Sequence, residues 1–350
     1  MVNVGIIGFG YMGHFHWNKI KQIENVNLIA VFDTSKEKLQ EAKAEGLKAY
    51  PNLHEFLDVK DMNLVVVCTP NNWHFNYSLE ALNAGKNVLC EKPAMMSVGE
   101  LKEVIECAKL NNKFFTVHQN RRWDIDFKVI CDVVKSKTIG DITTIESSVF
   151  GERGVCYGWR ADPEAGGGML YDWGVHLIDQ MLQLYKEFDV TSVYARILSI
   201  LTPAVDDFFE IHLNFSNNVC AKVSVGTFAL QKVPRWFLFG DRGTLKLDDF
   251  SGKNGGMARI KGEVKGFDSV VGKKSLGPSR TMAPLEEKHL ETLTLPVFEE
   301  TPLEFWQNIK ESVEGKAKPE VKPEELLRQM KIVEAAFESA KENRVIKTII

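Results

Sequence analysis

The sequence predicts an α/β protein in which a doubly wound parallel sheet precedes a second, strand-rich domain. Through residue 118, short apolar runs alternate with helical patterns at the spacing of strand–helix–strand units. From residue 190 onward, apolar and polar residues alternate, which indicates a sheet with one strongly apolar face. A chain of 350 residues is long enough for two domains.

The composition excludes several classes of protein. Hydrophobic residues make up 44% and charged residues 26% of the chain, and the net charge is -4, so nothing suggests nucleic-acid binding. No apolar run reaches the ~20 residues that span a bilayer. The six cysteines form no Cys-x-x-Cys pair, and no group has metal-ligand spacing. We expect a cytoplasmic protein with reduced cysteines and with no metal, nucleic-acid or membrane partner.

A glycine-rich motif follows the first apolar run directly. Between a predicted strand (4–7) and a predicted helix (11–23) lies the G-x-G-x-x-G sequence Gly8-Phe9-Gly10-Tyr11-Met12-Gly13. In a dinucleotide-binding turn the first glycine makes the turn, the second lets the pyrophosphate approach the backbone, and the third lets helix and strand pack closely. The helix N-terminus then offers free N–H groups to the phosphates.

The next predicted strand, residues 27–32, ends at Asp33. Asp33 lies near the offset from the glycine motif at which such folds place the carboxylate that binds the ribose 2′-hydroxyl. Because a carboxylate there repels a 2′-phosphate, the sequence favours NAD over NADP. The nearby Lys36 and Lys38 count against that preference without reversing it.

Two further apolar strands end in turns that carry polar residues. Residues 63–68 lead into Thr69-Pro70-Asn71, with His74 close behind, and residues 87–90 lead into Glu91-Lys92-Pro93. Ligands of open α/β sheets bind at the carboxyl ends of strands, where both turns lie. Partial desolvation there lowers the cost of losing the Lys92 proton, so Lys92 is suited to stabilise an alkoxide. Pro93 is expected to follow a cis peptide bond.

A run of glycines opens the next candidate site. Gly166-Gly167-Gly168 is expected to leave room for a flat ligand against bare backbone, and the apolar-periodic run after it predicts a helix ending near Tyr185. On that helix Asp172, His176 and Asp179 share one face, so a carboxylate lies one turn from an imidazole that acts as a general base. A surface Asp–His pair on an ordinary amphipathic helix is the alternative interpretation.

The second half of the chain predicts a broad sheet with helices. Predicted strands cover residues 141–150, 209–215, 219–225, 236–239, 244–247 and 289–295, and predicted helices cover 125–134, 303–313 and 324–342. The loop 151–165 contains Tyr157, Trp159 and Arg160, which suit a sugar because aromatic rings stack on its C–H face and arginine donates to hydroxyls. Residues 251–284 predict a long extended insertion. The more mixed face of the sheet is a candidate subunit interface, which predicts a homodimer or homotetramer.

Together, in this order, the motifs resemble the Gfo/Idh/MocA (glucose–fructose oxidoreductase / inositol dehydrogenase) family. The resemblance implies an N-terminal NAD-binding Rossmann domain, residues 1–123 here, and a C-terminal α+β domain, residues 124–350, on a large, mostly antiparallel open sheet. The C-terminal helix is expected to pack back on the first domain. The nicotinamide is expected to lie between the two domains.

The resemblance also implies site residues. The catalytic set would be Lys92, Asp172 and His176. Cofactor contacts would come from the glycine motif and the turns after the strands: Gly8, Phe9, Gly10, Tyr11, Met12, Asp33, Thr69, Pro70, Asn71, His74, Glu91, Lys92, Gln119, Trp159 and Arg160. Substrate contacts would come from the catalytic set together with Arg122, Trp123 and Tyr157.

The expected activity is NAD(P)-dependent hydride transfer between nicotinamide and a secondary alcohol of a sugar or inositol. Asn120-Arg121-Arg122-Trp123-Asp124 resembles family members that include scyllo-inositol and sugar dehydrogenases. His176 would accept the hydroxyl proton, with Asp172 orienting it, while Lys92 stabilises the alkoxide. The sequence is equally consistent with the roles of His176 and Lys92 exchanged. Two alternatives stay open: a glycosidase that oxidises its sugar transiently with bound NAD, and a non-catalytic NAD-binding regulator.

Overall fold

The N-terminal part of the protein is built on a six-stranded parallel sheet. The computed structural model describes residues 1–263 and 284–350. The strands run in the order β3-β2-β1-β4-β5-β6, which is the doubly wound order of dinucleotide-binding folds, so the predicted parallel sheet is confirmed. They are β1 (Val2–Ile7), β2 (Val26–Phe32), β3 (Lys48–Tyr50), β4 (Leu64–Val67), β5 (Asn87–Cys90) and β6 (Phe115–Val117).

Five helices connect these strands: α1 (Tyr11–Ile20), α2 (Lys36–Ala44), α3 (Leu53–Leu57), α4 (His74–Asn83) and α5 (Val98–Leu110). The Ser97 side chain caps α5 by accepting the Glu100 N–H at 3.1 Å. The sequence did not predict β3 and α3, because elements of three and five residues are too short to show a period.

The C-terminal part contains a nine-stranded sheet in the order β14-β13-β12-β11-β7-β10-β9-β8-β15. Among the strands that the structure describes in this sheet, β7 and β10 alone pair in parallel, so the sheet is mostly antiparallel. Its strands are β7 (Ile142–Phe150), β8 (Val190–Leu198), β9 (Phe208–Phe215), β10 (Cys220–Gly226), β11 (Trp236–Gly240), β12 (Gly243–Leu247), β13 (Gly255–Ile260), β14 (Leu290–Leu293) and β15 (Ile346–Lys347).

Helices cover the apolar face of this sheet. Phe209, Ile211 and Leu213 point from β9 into the core and are fully buried, as their alternation predicts. The remaining helices are α6 (Ile125–Ser136), α7 (Val175–Leu184), α8 (Glu304–Val313) and α9 (Pro323–Glu342). The last of these helices, α9, packs on β8 and α7 of the C-terminal part and on α5 of the N-terminal part, so it joins the two parts of the molecule.

The interpretation of residues 251–284 as one long insertion is wrong for its first part. Residues 255–260 form β13, which pairs with β12 and β14. The glycine pair Gly255-Gly256 hid this strand from the sequence pattern, because glycine contributes no apolar side chain to an alternation. Residues 264–283 lie outside the part of the chain that the structure describes.

None of the helices in residues 1–263 and 284–350 is both long and apolar enough to span a membrane.

Candidate active site

The glycine motif makes the turn between β1 and α1. Gly8 has φ +91°, and a Cβ there would meet the Cys68 carbonyl oxygen at 2.8 Å. A Cβ on Gly13 would lie 2.4 Å from the Gly8 carbonyl oxygen, so this glycine lets helix and strand pack closely. The space beside Gly10 is open, since nothing lies within 4 Å of where its Cβ would be. An open second glycine at a helix N-terminus is the geometry that a pyrophosphate needs.

Asp33 lies beside this turn at the end of β2. Its Oδ2 accepts the Phe9 N–H at 2.7 Å, and its Oδ1 accepts the Ser35 N–H at 2.8 Å. Each carboxylate oxygen has two acceptor sites, so Asp33 keeps capacity for a ribose hydroxyl. The structure therefore brings the glycine motif and Asp33 together.

Protein atoms fill the space beside the three glycines at 166–168, so the expectation that they leave room for a flat ligand is wrong. A Cβ on Gly166 would meet the Asn71 side chain at 2.8 Å, and one on Gly167 would meet the Arg160 carbonyl oxygen at 2.4 Å. A Cβ on Gly168 would overlap the Asp206 carboxylate. The glycines are required because protein packs against all three, and the Asn71 amide donates to the Gly166 carbonyl at 2.7 Å across the two parts of the molecule.

The side chain of His74 also departs from its predicted role in cofactor binding. It is fully buried, with Nδ1 2.9 Å from the Pro93 carbonyl oxygen and Nε2 3.1 Å from the Thr69 carbonyl oxygen. His74 thus connects the turn after β4, which contains Thr69 and Pro70, to the turn after β5. The Lys92–Pro93 peptide in that second turn is cis, as predicted.

The amine of Lys92 meets the carboxylate of Asp172 between the two sheets. Lys92 Nζ lies 2.5 Å from Asp172 Oδ1 and 2.7 Å from the Asp172 carbonyl oxygen. Arg160 Nε approaches the other carboxylate oxygen at 3.4 Å. Burial raises the pKa of the Asp172 carboxyl, but Lys92 and Arg160 outweigh that effect and hold it below its ordinary value. An anionic Asp172 can therefore hold the ammonium group in place.

Asp172 does not orient His176, contrary to the prediction from their spacing. Leu170–Gly174 form a π-helical turn before α7. Its i→i+5 hydrogen bonds make the turn wider than that of an α-helix, so residues four apart are no longer aligned on one face. His176 Nδ1 is instead 3.1 Å from Gln119 Oε1. Burial, followed by the charges of Lys92 and Arg121, lowers the pKa of His176 well below its ordinary value. The imidazole is neutral near pH 7 and can accept a proton.

The N-terminal end of the π-helical turn is held by Asp206. Its Oδ2 accepts the Leu170 N–H at 2.8 Å, and its backbone carbonyl accepts the Met169 N–H at 3.0 Å. Burial raises the pKa of Asp206 to about 6. The loop before β9 thereby fixes the start of the segment that carries Asp172.

The carboxylate of Glu91 is buried between two histidines, so its predicted role in cofactor binding is wrong for the side chain. Glu91 Oε1 lies 2.8 Å from both His16 Nε2 and His118 Nδ1. Burial raises its pKa, but His118 and His16 outweigh that effect and hold the pKa well below its ordinary value. The sequence did not predict this cluster, because its residues lie on α1, β5 and β6. Among the described residues their ligand atoms lie within 4.8 Å of one another, although each already takes part in a hydrogen bond.

Arg122 is not available to a substrate, which corrects another prediction. Its guanidinium donates to Asp179 at 2.6 and 2.7 Å and to Glu325 at 2.9 Å. Asp179, predicted to share the face of His176, is buried in this pair. Arg121 turns the other way and lies over the Trp173 ring, 4.3 Å from its centroid. No sequence signal separates the two adjacent arginines, because the turn at Asn120–Trp123 decides which one faces the cleft.

Aromatic side chains lie near Arg121 and Arg160. A cavity of about 300 Å³ is lined by Arg121, Trp123, His118 and Phe250 among others. Tyr157 is 80% exposed, and Arg160 lies over the Trp159 ring at 4.5 Å. Tyr157, Trp159 and Arg160 do not line that cavity. In each of the two places, a cation beside an aromatic ring suits a ligand with hydroxyl groups and C–H faces.

Two family models match the chain in succession. The model described as an oxidoreductase family with an NAD-binding Rossmann fold matches residues 2–119. The model of the GFO/IDH/MocA C-terminal domain matches residues 127–246. The first covers the six-stranded parallel sheet, and the second covers the middle strands of the nine-stranded sheet.

Individual proteins are similar over most of the chain. An NAD-binding protein from Listeria innocua has a solved structure with TM-score 0.89 and 35% identity, covering 99% of this chain and 97% of that one. The scyllo-inositol 2-dehydrogenase (NADP(+)) IolW of Bacillus subtilis is 28% identical over 350 residues, which cover 99% of this chain and 95% of that protein. An uncharacterized oxidoreductase of Schizosaccharomyces pombe is 34% identical over 221 residues, so the match spans 61% of this chain and only 60% of that relative.

Both parts of the chain thus match one family, and the first part has the sheet order and the open glycine turn of a dinucleotide site. The protein is a member of the Gfo/Idh/MocA oxidoreductases, whose N-terminal Rossmann fold binds a nicotinamide dinucleotide.

Proposed function

We propose that this protein transfers a hydride between NAD and a secondary alcohol of an inositol or sugar. The observation that carries the proposal is the contact of Lys92 with Asp172, one turn before a buried, neutral His176. An ammonium group and an unprotonated imidazole at the carboxyl end of the parallel sheet are what an alcohol needs to lose its proton.

The residues present fit the cofactor. The open space beside Gly10 admits a pyrophosphate, the first turn of α1 offers backbone N–H groups, and Asp33 keeps acceptor sites for a ribose hydroxyl. When bound, the nicotinamide supplies the hydride acceptor for alcohol oxidation. The protein supplies orientation and proton transfer.

The protein groups act on the alcohol oxygen. Lys92 Nζ donates a hydrogen bond to that oxygen and stabilises the charge that develops on it. Asp172, paired with Lys92 and Arg160, holds the amine in position. The hydroxyl proton passes to the imidazole of His176, which is neutral before the reaction and charged after it.

Aromatic and cationic residues in two places support a polyol as substrate. Arg121 and Trp123 line the cavity, and Arg160 lies over Trp159 beside Asp172. Trp123, Tyr157 and Trp159 offer ring faces for C–H groups, while Arg121 and Arg160 donate to hydroxyls. The relative in Bacillus subtilis that aligns along nearly the whole chain is a scyllo-inositol 2-dehydrogenase. This agreement leads us to name inositols first and sugars second.

A substrate panel tests the proposal. Inositols, free sugars and aryl glycosides would be incubated with NAD or NADP while the absorbance of the reduced cofactor is followed. We expect absorbance to rise with at least one inositol or sugar. Release of the aglycone from a glycoside without net reduced cofactor would instead identify a glycosidase, and absence of both reactions would overturn the proposed activity.

Replacing Asp33 with serine is expected to reduce the preference for NAD over NADP by roughly 10- to 100-fold. Repulsion between unit charges near a surface, about 6 Å apart, is on the order of 2–3 kcal/mol, and serine removes it. The ratio of kcat/KM for the two cofactors measures the change. Asp33→Asn keeps an acceptor for the Phe9 N–H and loses only the charge, so it should shift the ratio as well. An unchanged ratio in both variants would mean that another group recognises the ribose.

We further propose that the protein is cytoplasmic, which suits its six free cysteines, and that it forms a homodimer or homotetramer through the open face of the nine-stranded sheet. Phe237 and Phe239 lie on that face with ring centroids 4.6 Å apart, opposite the buried Trp236 and Leu238. An aromatic pair with one exposed and one half-buried ring on a sheet suits a subunit interface.

The variant Phe239→Asp is expected to lower the molar mass in solution to that of one chain, because it places a charge in the apolar centre of the proposed interface. Light scattering after size-exclusion chromatography measures the mass, and circular dichroism checks the fold. A folded variant with the mass of the wild type would exclude this face as the interface.

A further inference from the structure

We propose that two buried glutamines, Gln119 and Gln329, hold His176 in the tautomer that leaves its Nε2 free to accept a proton. Gln119 follows β6 in the first sheet, and Gln329 lies in the middle of α9 near the end of the chain. Both act through His176 and are therefore positioning residues. Naming Nε2 as the acceptor for a substrate proton rests on the proposed function, whereas the tautomer itself does not.

Val175, Gln329, Gln119 and His176 form a series of hydrogen bonds, and the direction of each bond follows from the backbone carbonyl of Val175. The carbonyl of Val175 can only accept, so the group of Gln329 that faces it is the amide nitrogen. Oε1 of Gln329 then faces Gln119 and accepts its Nε2 at 3.2 Å. This arrangement turns Oε1 of Gln119 toward His176 Nδ1, 3.1 Å away.

The tautomer of His176 follows from this order. Because Gln119 Oε1 can only accept, Nδ1 of His176 carries the hydrogen, and in the neutral ring Nε2 carries a lone pair. Nε2 forms no hydrogen bond with any residue in 1–263 or 284–350. The proton acceptor is thus chosen by an amide on the C-terminal helix and not by Asp172.

Burial makes the alternative arrangement unfavourable. Gln119 is 1% exposed, Gln329 is 0% exposed, and His176 is 5% exposed. Rotating either amide by half a turn would set two carbonyl oxygens, or two donors, against each other in a region closed to water. Neither amide therefore flips without losing a buried hydrogen bond.

The charges around His176 help to keep its imidazole neutral, and only a neutral imidazole has two tautomers. Lys92, Arg121, Glu91 and His118 are the charged and titratable groups that act on it. Burial is the largest effect, and the cations Lys92 and Arg121 add to it, so the pKa lies well below its ordinary value. The ring is neutral near pH 7, and the glutamines decide which nitrogen holds the hydrogen.

Nitrogen-15 NMR of the imidazole tests the tautomer directly. The uniformly labelled, full-length protein would be recorded at pH 7.5, and the His176 signals would be assigned by their loss in His176→Asn. We expect a protonated Nδ1 and an unprotonated Nε2. A ring protonated mainly on Nε2 would overturn the proposal.

Gln329→Met removes the hydrogen bonds of Gln329 to Val175 and to Gln119, and it keeps most of the volume of the side chain. We expect the signals of His176 to become those of mixed tautomers and kcat for alcohol oxidation to fall on the order of 10-fold. Met330→Leu, a change at the next buried position of α9, alters packing and leaves the amides intact, so its tautomer should match the wild type. Mixed tautomers in Met330→Leu as well, or a wild-type tautomer in Gln329→Met, would contradict the proposal.

A second variant covers the case in which Gln329→Met does not fold. Gln119→Glu keeps an acceptor toward Nδ1 and adds a negative charge, so the pKa of His176 should rise and the acidic limb of the pH profile of kcat/KM should move to higher pH. An unmoved limb would mean that residue 119 does not bond to His176. If the tautomer is as expected and no alcohol is oxidised, the proposed function fails and the positioning inference stands.

Discussion

Replacing Lys92 with alanine is expected to lower kcat by on the order of 10²–10⁴, which is the usual contribution of one acid–base group. The variant loses the only described amine that contacts Asp172, and with it the bonds to both Oδ1 and the carbonyl oxygen. Binding of NAD should change little, since the glycine motif and Asp33 lie apart from this contact. Steady-state kinetics with the best polyol of the panel and cofactor titration by fluorescence measure both quantities.

Two variants make the Lys92 result specific. Lys92→Met keeps the length of the side chain without its charge and should be as slow as Lys92→Ala, because the hydrogen bond to the substrate oxygen is what is lost. Lys102→Ala removes an exposed lysine from α5 and should behave as the wild type. Turnover of Lys92→Met within a few-fold of the wild type would remove Lys92 from the mechanism.

Replacing His176 with alanine is expected to lower kcat/KM for alcohol oxidation by a similar factor, on the order of 10²–10⁴, and to abolish the acidic limb of its pH profile. The wild-type limb should lie below pH 6.5, because the pKa of His176 is lowered from its ordinary value of 6.5 by burial and by Lys92 and Arg121. Above that limb the ring is neutral and accepts the proton; below it the ring is already charged and cannot.

Unfolding of the protein at low pH must be distinguished from protonation of His176 as the cause of the acidic limb. The pKa values of His16, His74 and His176 are all lowered by burial, so the unfolded chain binds more protons than the folded one as pH falls below 6.5. The stability that these histidines contribute is present above pH 6.5 and is lost as pH falls through their folded pKa values. Circular dichroism at each pH therefore accompanies the kinetics. A limb centred above pH 6.5 in the folded enzyme would contradict a neutral, buried base.

The parallel sheet and its glycine turn were predictable from the sequence because both are local. A run such as Leu64–Val67 is apolar throughout, so its burial on both faces follows from composition. The spacing alone identifies the glycine motif, and the space around Gly8, Gly10 and Gly13 confirms the part each glycine plays. Lys92 and Asp172 were likewise predicted from position in the chain, and the structure brings their side chains into contact.

Contacts between distant residues were not predictable. Asp172 and His176 are four apart in sequence, and only the π-helical turn shows that they face different partners. Glycines 166–168 suggested an open surface, whereas Asn71, Arg160 and Asp206 fill it from other elements. The prediction for Asp172 and His176 assumed a regular α-helix, and the prediction for the three glycines assumed that a missing side chain leaves open space. In both cases tertiary packing determines the actual arrangement.

The sequence by itself determined the fold class, the dinucleotide turn and the candidate acid–base residues, since each depends on neighbours along the chain. Only the tertiary structure decided which way Arg121 and Arg122 point and that Glu91 is enclosed by His16 and His118. It also decided that Gln329, 153 positions after His176, belongs to the same hydrogen-bonded chain. The physical reason is that a buried polar atom must find a partner wherever the fold supplies one, and the partner's distance in sequence has no bearing on that requirement.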